Sequence, residues 1–205
     1  MQILHLDSSI QADGSASRTL TKTIVTDLVN LHPDADVAYR DLVEEAIPHL
    51  DGPIGAGFRP LPFNVSDETT RREHARSNEL ADELIASDIL VIGAPMYNFS
   101  VASQLKAWID RVIQPGKTFR YTETGPIGLV DGKKVVIVST RGGSYLSAPM
   151  DFQEAYLKTA LGFIGIKDVN FIRAENMSRG DLARASSMDT ALKAVLPLVT
   201  ELLAA

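Results

Sequence analysis

Cysteine is absent from the 205 residues of this sequence. Its absence excludes disulfide bonds, a thiolate nucleophile and a cysteine metal site. Long apolar runs and clusters of basic residues are absent as well, and the formal net charge is −6. A chain of this kind is not expected to span a membrane or to bind nucleic acid or anionic lipid. Because a strand pattern follows Met1 directly, no signal peptide fits, and we expect a cytoplasmic protein.

Signatures of several catalytic and cofactor classes are also missing. The four histidines all lie in the first half of the chain without a ligand cluster, so we expect no metal site. Residues 142–146, Gly-Gly-Ser-Tyr-Leu, lack the second glycine of the nucleophile elbow of serine hydrolases. No G-x-G-x-x-G motif follows a predicted strand, which argues against a permanently bound dinucleotide.

An alternation of strands and helices runs along the chain. Short apolar runs rich in branched residues predict strands, and apolar residues at helical spacing predict helices. The predicted strands are residues 2–7, 37–40, 89–94, 133–139 and 169–173. The predicted helices are residues 18–31, 67–87, 151–161 and 181–205, with a further helix that contains residues 105–112. This alternation indicates an α/β domain spanning residues 1–205, with a parallel sheet and helices on both of its faces.

Finer features of these elements are also predicted. Ser17 is expected to cap the first helix. Residues 42–66 and 115–131 have no clear period, so we expect two irregular excursions without strand or helix of their own. The charged first half of the 67–87 helix, which includes Glu73, is expected to be a solvated face. The buried face of the last helix is expected to comprise Leu182, Ala185, Leu192, Val195, Val199 and Leu202.

Three loops whose residues are suited to binding a ligand follow the first, third and fourth strands. The first, residues 8–17, is rich in serine and precedes a helix N-terminus, where free N–H groups and the helix dipole favour a phosphate. The second, residues 96–100, contains two aromatic rings and two polar side chains, and the third is Thr-Arg-Gly-Gly at 140–143. Carboxyl ends of parallel strands meet at one edge of a sheet, where ligands bind in open α/β folds. Together the loops predict a site for a flat, partly polar ligand that carries a phosphate.

Particular segments extend this interpretation along the whole chain. They are Ser8-Ser9 with Ser15 and Ser17, Ala-Pro-Met-Tyr-Asn-Phe at 94–99, Thr-Phe-Arg-Tyr-Thr-Glu at 118–123, Arg-Gly-Gly at 141–143, Tyr156-Leu157, and Leu-Gly-Phe-Ile-Gly-Ile at 161–166. With these segments in this order, the chain resembles the family of FMN-dependent NADH:quinone oxidoreductases and azoreductases. The resemblance implies a flavodoxin-like three-layer sandwich whose five-stranded parallel sheet has the strand order 2-1-3-4-5.

The resemblance also implies a chemistry. FMN would be the cofactor and NADH or NADPH the co-substrate, with two-electron, ping-pong hydride transfer to quinones or azo compounds. Because the flavin carries the hydride chemistry, no catalytic side chain is required. The family pattern further implies a homodimer with FMN near the subunit boundary.

Particular residues are assigned to the cofactor by the same resemblance. The FMN phosphate would be held by Ser9, Ser15, Ala16 and Ser17. The isoalloxazine ring would be bordered by Met96, Tyr97, Asn98 and Phe99, and by Thr140, Arg141, Gly142 and Gly143. The N–H groups of Gly142 and Gly143 are suited to stabilise negative charge on the ring. The residues expected on the substrate side are Arg59, Phe119, Tyr121, Ser144 and Phe163, of which Phe119 or Phe163 could cover the ring of the partner subunit.

One alternative comes from another class of protein. A flavodoxin-like electron carrier would have the same sheet and cofactor but would not turn over a small-molecule substrate. The two excursions, residues 42–66 and 115–131, argue against a carrier because a carrier needs no substrate cavity. The sequence leaves open the physiological acceptor and the choice between NADH and NADPH.

Overall fold

The computed structural model describes residues 1–58 and 67–204, and Arg59, one of the expected substrate residues, lies outside this range. In chain order the elements are β1 (Gln2–Asp7), α1 (Ala16–Leu31), β2 (Asp36–Asp41), α2 (Gly52–Gly57), α3 (Glu68–Ala86), β3 (Ile89–Pro95), α4 (Ser103–Val112), β4 (Phe119–Thr122), β5 (Gly125–Gly128), β6 (Lys134–Thr140), α5 (Phe152–Phe163), β7 (Asp168–Ala174) and α6 (Asp181–Ala204). In this part of the chain no helix combines the length and the apolar character needed to cross a membrane.

The central sheet is parallel throughout. Within the described residues it has five strands in the order β2-β1-β3-β6-β7, which is 2-1-3-4-5 when the strands of this sheet are numbered along the chain. Helices α1 and α6 cover one face, and helices α3, α4 and α5 cover the other. The predicted flavodoxin-like three-layer sandwich and its strand order are therefore confirmed.

Strand β3 lies at the centre of the sheet because both of its faces are apolar. All seven of its residues are buried, as expected for a run of branched apolar residues in a parallel sheet. Leu90 and Ile92 pack on the side of α3, α4 and α5, and Val91 packs on the side of α1 and α6. The register between β3 and β6 places Pro95 opposite Thr140, so the two strands end at the same level.

The expectation that residues 42–66 and 115–131 contain no regular structure is wrong. Helix α2 follows Asp51, whose carboxylate accepts a hydrogen bond of 2.9 Å from the N–H of Ile54. Strands β4 and β5 form an antiparallel hairpin in the second segment. Elements of only four to six residues are too short to show a period, and α2 and β5 also contain glycine and proline, so the sequence pattern did not reveal them.

Two further details of the helices differ from expectation. Ser15, not Ser17, caps α1, because the Ser15 side chain accepts the hydrogen bond from the N–H of Arg18. The buried residues of α6 are Ala191, Val195, Val199 and Leu202. The other three residues expected on its buried face are exposed, namely Leu182, Ala185 and Leu192. Helical periodicity marks an apolar stripe, but it does not show where along its length a helix leaves the sheet.

The charged first half of α3 is not a fully solvated face, because Glu73 is buried. Its carboxylate pairs at 2.9 Å with the guanidinium group of Arg111 on α4, which is itself fully buried. Arg111 also donates to the hydroxyl of Ser77 on α3 and to the carbonyl of Pro48. Removing one partner of such a pair would leave an unpaired buried charge, so both residues are required. The pair joins α3, α4 and the segment that precedes α2.

The β4–β5 hairpin packs against the end of α5. Beyond the hairpin, the N–H of Val130 donates to the Ile164 carbonyl at 2.8 Å. At Gly128 the two segments are so close that a Cβ atom would lie 2.2 Å from the nitrogen of Gly165. Glycine at position 128 is therefore required by the close approach of two backbones.

We expect the substitution Gly128→Ala to destabilise the protein by about 2 kcal/mol or more, because the added methyl group would overlap the backbone at Gly165. The matched control is Gly162→Ala in the last turn of α5, where a Cβ atom has no neighbour within 4 Å. That variant should keep its stability or gain up to about 1 kcal/mol, since alanine favours a helix over glycine. Chemical denaturation measures both free energies of unfolding, and equal values for the two variants would contradict the close approach.

Candidate functional site

Three loops meet at the carboxyl ends of β1, β3 and β6, which are neighbours in the sheet. The hydroxyl of Ser8 donates to the Gly93 carbonyl at 2.7 Å, which ties the first loop to β3. The N–H of Met96 donates to the Thr140 carbonyl at 2.8 Å, which ties the second loop to the end of β6. The structure therefore brings the three predicted loops together. We call them the rim: residues 8–17, which include the first two residues of α1, 96–102 and 141–151.

The first rim loop leads into the N-terminus of α1. Ser9, Ser15 and Ser17 are all buried, and the hydroxyl oxygens of Ser15 and Ser17 lie 3.2 Å apart. The N–H groups of Ala16 and Ser17 have no acceptor in the described part of the chain, as expected for the first turn of a helix. Two adjacent hydroxyls, two unpaired N–H groups and the positive end of the helix dipole form a site suited to a phosphate group.

The second rim loop turns sharply at Asn98 and Phe99. Tyr97 and Ser100 exchange backbone hydrogen bonds of 3.0 and 3.1 Å, and the φ angles of Asn98 and Phe99 are 48° and 70°. Asn tolerates this left-handed backbone, but it is unusual for a bulky residue such as Phe. Backbone strain of this kind concentrates at functional sites. The turn leaves the Phe99 ring half exposed, 6.0 Å from the ring of Tyr145 in the third loop.

Tyr97 connects the second rim loop to the first. Its hydroxyl accepts a hydrogen bond of 3.1 Å from the N–H of Ile10 and lies 3.5 Å from the hydroxyl of Ser9. Beside it, Met96 and Tyr156 are among the residues that line an open groove of about 810 Å³. A groove of this size can accommodate a ring system at the rim.

The third rim loop presents N–H groups rather than carbonyls. The carbonyl oxygens of Gly142 and Gly143 accept hydrogen bonds of 3.0 and 2.9 Å from the N–H groups of Ser178 and Asn176. Within residues 1–58 and 67–204, the N–H groups of Gly142, Gly143 and Ser144 donate to no acceptor. Consecutive unpaired N–H groups of this kind stabilise negative charge on a bound group.

Both glycines of this loop lie close to neighbouring side chains and have no unusual backbone angle. Neither of them has a positive φ. A Cβ atom on Gly142 would lie 3.0 Å from the Ser178 hydroxyl, and one on Gly143 would lie 3.1 Å from the ring of Tyr145. Glycine therefore allows the loop to lie directly against these two neighbours.

Arg141 holds the third rim loop from inside the protein. Its guanidinium group is fully buried and pairs with Asp151 at 2.8 Å and with Glu154 at 2.7 Å. Its backbone N–H donates to the Ala174 carbonyl. Because both the side chain and the N–H have partners inside the protein, Arg141 orients the loop and does not present a donor at the rim.

Glu175 holds the third rim loop, and the sequence did not predict this role. Its carboxylate accepts hydrogen bonds from the N–H groups of Tyr145 and Leu146, at 2.6 and 2.8 Å, and from the hydroxyl of Ser144. Burial opposes its ionisation, but these hydrogen bonds and the charge of Arg141 together lower the pKa of Glu175 below its ordinary value. Its partners are about 30 residues away in the chain, so no local pattern marks it.

The aromatic residues expected on the substrate side lie at the other end of the sheet. Helices α4 and α5 begin beside the rim and run back, which places the hairpin and the end of α5 near the amino ends of the strands. There the ring of Phe119 contacts those of Phe163 and Tyr121, with centroids 4.6 and 5.3 Å apart, and we call these three residues the aromatic cluster. Phe119 is 5% exposed, Phe163 36% and Tyr121 74%. Of the expected substrate residues that the structure describes, only Ser144 lies on the rim.

Comparison with known proteins begins with the fold. A family model described as a flavodoxin-like fold matches residues 1–198. The structure is similar to that of an azoreductase from Bacillus anthracis, with a TM-score of 0.89, 22% identity and coverage of 98% of this chain and 99% of the other. An FMN-dependent NADH-azoreductase from the same species, solved in complex with FMN, gives a TM-score of 0.86 at 22% identity, again covering 98% and 99%. Fold and rim together define a flavodoxin-like α/β protein.

Sequence relatives narrow this class. The FMN-dependent NADH:quinone oxidoreductase of Ralstonia nicotianae is 59% identical over 208 residues, covering 100% of both chains. The protein of the same name from Chromobacterium violaceum is 49% identical and covers 97% of this chain and 99% of its own. The chain belongs to the family of FMN-dependent NADH:quinone oxidoreductases, and the resemblance seen in the sequence is confirmed.

Loss of the Glu175 carboxylate should loosen the third rim loop. In Glu175→Ala the N–H groups of Tyr145 and Leu146 lose a charged acceptor, so we expect their hydrogen exchange to accelerate about tenfold or more. In the unmodified protein their protection should persist as the pH falls past about 4.3, the ordinary value for Glu, and disappear only at lower pH. This pH dependence follows from the lowered pKa of Glu175. The stabilisation by its carboxylate is complete above the pKa that Glu has in the unfolded chain, and it is lost as the pH falls through the lower pKa of the folded protein.

The matched control for this measurement is Glu123→Ala, which removes an exposed carboxylate from the hairpin loop. Exchange at Tyr145 and Leu146 should be unchanged in the control. Exchange that stays slow in Glu175→Ala would show that the carboxylate does not hold the loop.

Proposed function

We propose that this protein is an FMN-dependent oxidoreductase that uses NADH to reduce quinones and azo compounds. The observation that carries the proposal is the presence of two sets of unpaired N–H groups at one rim, at residues 16–17 and 142–144 among those described. The first set suits the terminal phosphate of FMN, and the second suits the polar edge of its ring, where negative charge develops. The names of the relatives support the same cofactor, reductant and acceptors.

The phosphate would be bound at the N-terminus of α1. Two buried hydroxyls and two N–H groups surround the position that a phosphate would occupy, and Ser9 adds a third hydroxyl next to Tyr97. A single helix N-terminus of this kind suits a terminal monophosphate better than the pyrophosphate of FAD. The residues assigned to it are Ser9, Ser15, Ala16 and Ser17.

The ring would lie between the second and third rim loops. One side is formed by Met96, Tyr97, Asn98 and Phe99, and the other by Thr140, Gly142 and Gly143, with Arg141 orienting the loop from inside. The tight turn at residues 98–99 fixes the second loop before a ligand binds, which reduces the ordering that binding would otherwise require. When bound there, FMN would supply the two-electron redox chemistry between NADH and the acceptor, so the residues of the two loops need only hold and orient it.

The alternative, a flavodoxin-like electron carrier without substrate turnover, has less support. The relatives are named as reductases of small molecules rather than as carriers. The groove of about 810 Å³ beside Met96 and Tyr97 provides room for an acceptor, which a carrier does not need. Since the reaction consumes NADH, we also propose a cytoplasmic location, where this reductant is available.

Steady-state kinetics with NADH and either a quinone or an azo dye test the proposed activity. If both substrates use the groove in turn, the oxidised nicotinamide must leave before the acceptor enters, and double-reciprocal plots at several acceptor concentrations should be parallel. The control is the same protein freed of FMN, which should show no turnover until FMN is restored. Intersecting lines would indicate two separate pockets, and reduction of bound FMN without turnover of any acceptor would indicate a carrier.

A homodimer is the second part of the proposal. The aromatic cluster lies at the end of the sheet remote from its own rim, and it leaves apolar side chains such as Tyr121, Ile127 and Leu129 exposed. Exposed apolar groups gathered in one region are typical of an interface. A two-fold related partner would place its cluster over the rim and would close the site to water, which favours hydride transfer.

We expect Tyr121→Ala to raise KM for an aromatic acceptor severalfold while leaving the affinity for FMN unchanged, because Tyr121 would contact the substrate in the partner's site. Tyr121 is a better probe than Phe119, which is buried within the cluster and supports the hairpin. The control is Leu182→Ala, which truncates an apolar side chain that is 90% exposed on α6. A monomer of full specific activity in sedimentation and dilution experiments would rule out the shared site.

A further inference from the structure

Arg18 uses every N–H donor of its guanidinium group behind the first rim loop. Nε donates to the Gln11 carbonyl at 3.1 Å, and Nη2 donates to the Ser9 carbonyl at 2.9 Å. The remaining donors reach both carboxylate oxygens of Asp41, at 2.5 and 2.9 Å, and the hydroxyl of Tyr39 at 3.2 Å. The rigid fork of a guanidinium group can hold several acceptors at once, which an ammonium group cannot. One side chain therefore joins the loop to β2.

Asp41 anchors this arrangement to the sheet. It is the last residue of β2, it is buried, and it also accepts a hydrogen bond of 3.0 Å from the N–H of Val43. Burial opposes its ionisation, but the hydrogen bonds from Arg18 and Val43 lower the pKa of Asp41 below its ordinary value. A second buried carboxylate, that of Asp7 at the end of β1, lies 3.9 Å from Nη1 of Arg18. With its charge balanced by two carboxylates, Arg18 acts on the loop mainly through geometry.

A loop that binds an anion through its N–H groups has to turn its carbonyl oxygens away from the anion. Arg18 takes two of these carbonyls, at Ser9 and Gln11, and Arg184 of α6 takes the carbonyl of Gly14 at 2.7 Å. Because all of its donors are used behind the loop, Arg18 has none left for a bound phosphate. It adjoins Ser17 in the chain, yet its side chain supports the site without entering it.

We infer that Arg18 is a positioning residue that sets the preference of this protein for FMN over riboflavin. It holds the first rim loop in the shape in which the hydroxyls of Ser15 and Ser17 and the N–H of Ala16 converge on the phosphate. The inference rests on the proposed phosphate site. Without Arg18 the loop carbonyls lose their partner and the phosphate loses an ordered site, while the contacts to the ring at the second and third loops remain.

Competition between the two flavins in the FMN-loaded protein tests the inference. The protein is equilibrated with rising concentrations of riboflavin, and the bound flavin is identified by chromatography. For Arg18→Met, which keeps an unbranched side chain but no donors, the preference for FMN should fall about tenfold or more. Arg18→Lys, which keeps the charge, should show a similar fall, because one ammonium group cannot hold both carbonyls and Asp41. If Arg18→Lys kept the full preference for FMN over riboflavin, the geometric role of Arg18 would be overturned.

Arg40→Met is the matched control. The side chains of Arg40 and Arg18 are equally exposed, at 18%, and both pair with carboxylates. The partners of Arg40 all lie away from the rim, namely Glu45, Glu79 and Glu83. The preference of the Arg40→Met variant for FMN over riboflavin should equal that of the unmodified protein. A fall as large as that of Arg18→Met would point to a general loss of structure and would overturn the inference.

Ser17→Asp separates the inference from the proposed phosphate site. Its carboxylate would repel a phosphate, while Ser15 still caps α1, so the preference should fall if the site is correct. A fall in Ser17→Asp with an unchanged preference in Arg18→Met would overturn the inference alone. An unchanged preference in Ser17→Asp would overturn the phosphate site, and the inference with it.

Discussion

The rim depends on carbonyl oxygens of its loops that are bonded inside the protein. In the third loop the carbonyls of Gly142 and Gly143 are held by the segment at 176–178. A peptide plane is rigid, so fixing the carbonyl on one side directs the following N–H to the other. In the first loop two arginine side chains hold the carbonyls instead. The proposed binding of an anionic cofactor would thus rest on backbone groups that neighbouring residues hold in place.

Buried charges connect these loops to the rest of the fold. Arg141 and Arg111 are fully buried, and each pairs with carboxylates on neighbouring helices. Removing an ion pair from water costs free energy that the attraction between the charges only partly offsets, so such pairs add little stability by themselves. They do impose a fixed geometry. Arg141 holds the third rim loop against α5, and Arg111 holds α4, which begins beside the second rim loop, against α3.

Parallel topology separates the rim from the aromatic cluster. Every crossover in a parallel sheet has to return the chain from the carboxyl end of one strand to the amino end of the next. Helices α4 and α5 therefore carry the chain away from the rim to the amino ends of the strands. The rim alone is an open groove, whereas hydride transfer gains from a pocket that excludes water. The proposed two-fold partner would reconcile these facts, because it would bring the cluster of one subunit to the rim of the other.

Local patterns in the sequence determined the sheet and the position of the rim. The apolar run of β3 that ends at Pro95 and the serine-rich loop before α1 carry their information within a few residues, so spacing alone predicted them. Only the tertiary structure decided how the rim is held. Arg18 and Asp41 are 23 positions apart, and Glu175 lies about 30 positions from the N–H groups that it binds. The sequence does not show whether a charged side chain will be surrounded by water or paired with a distant residue, because that depends on how the chain folds.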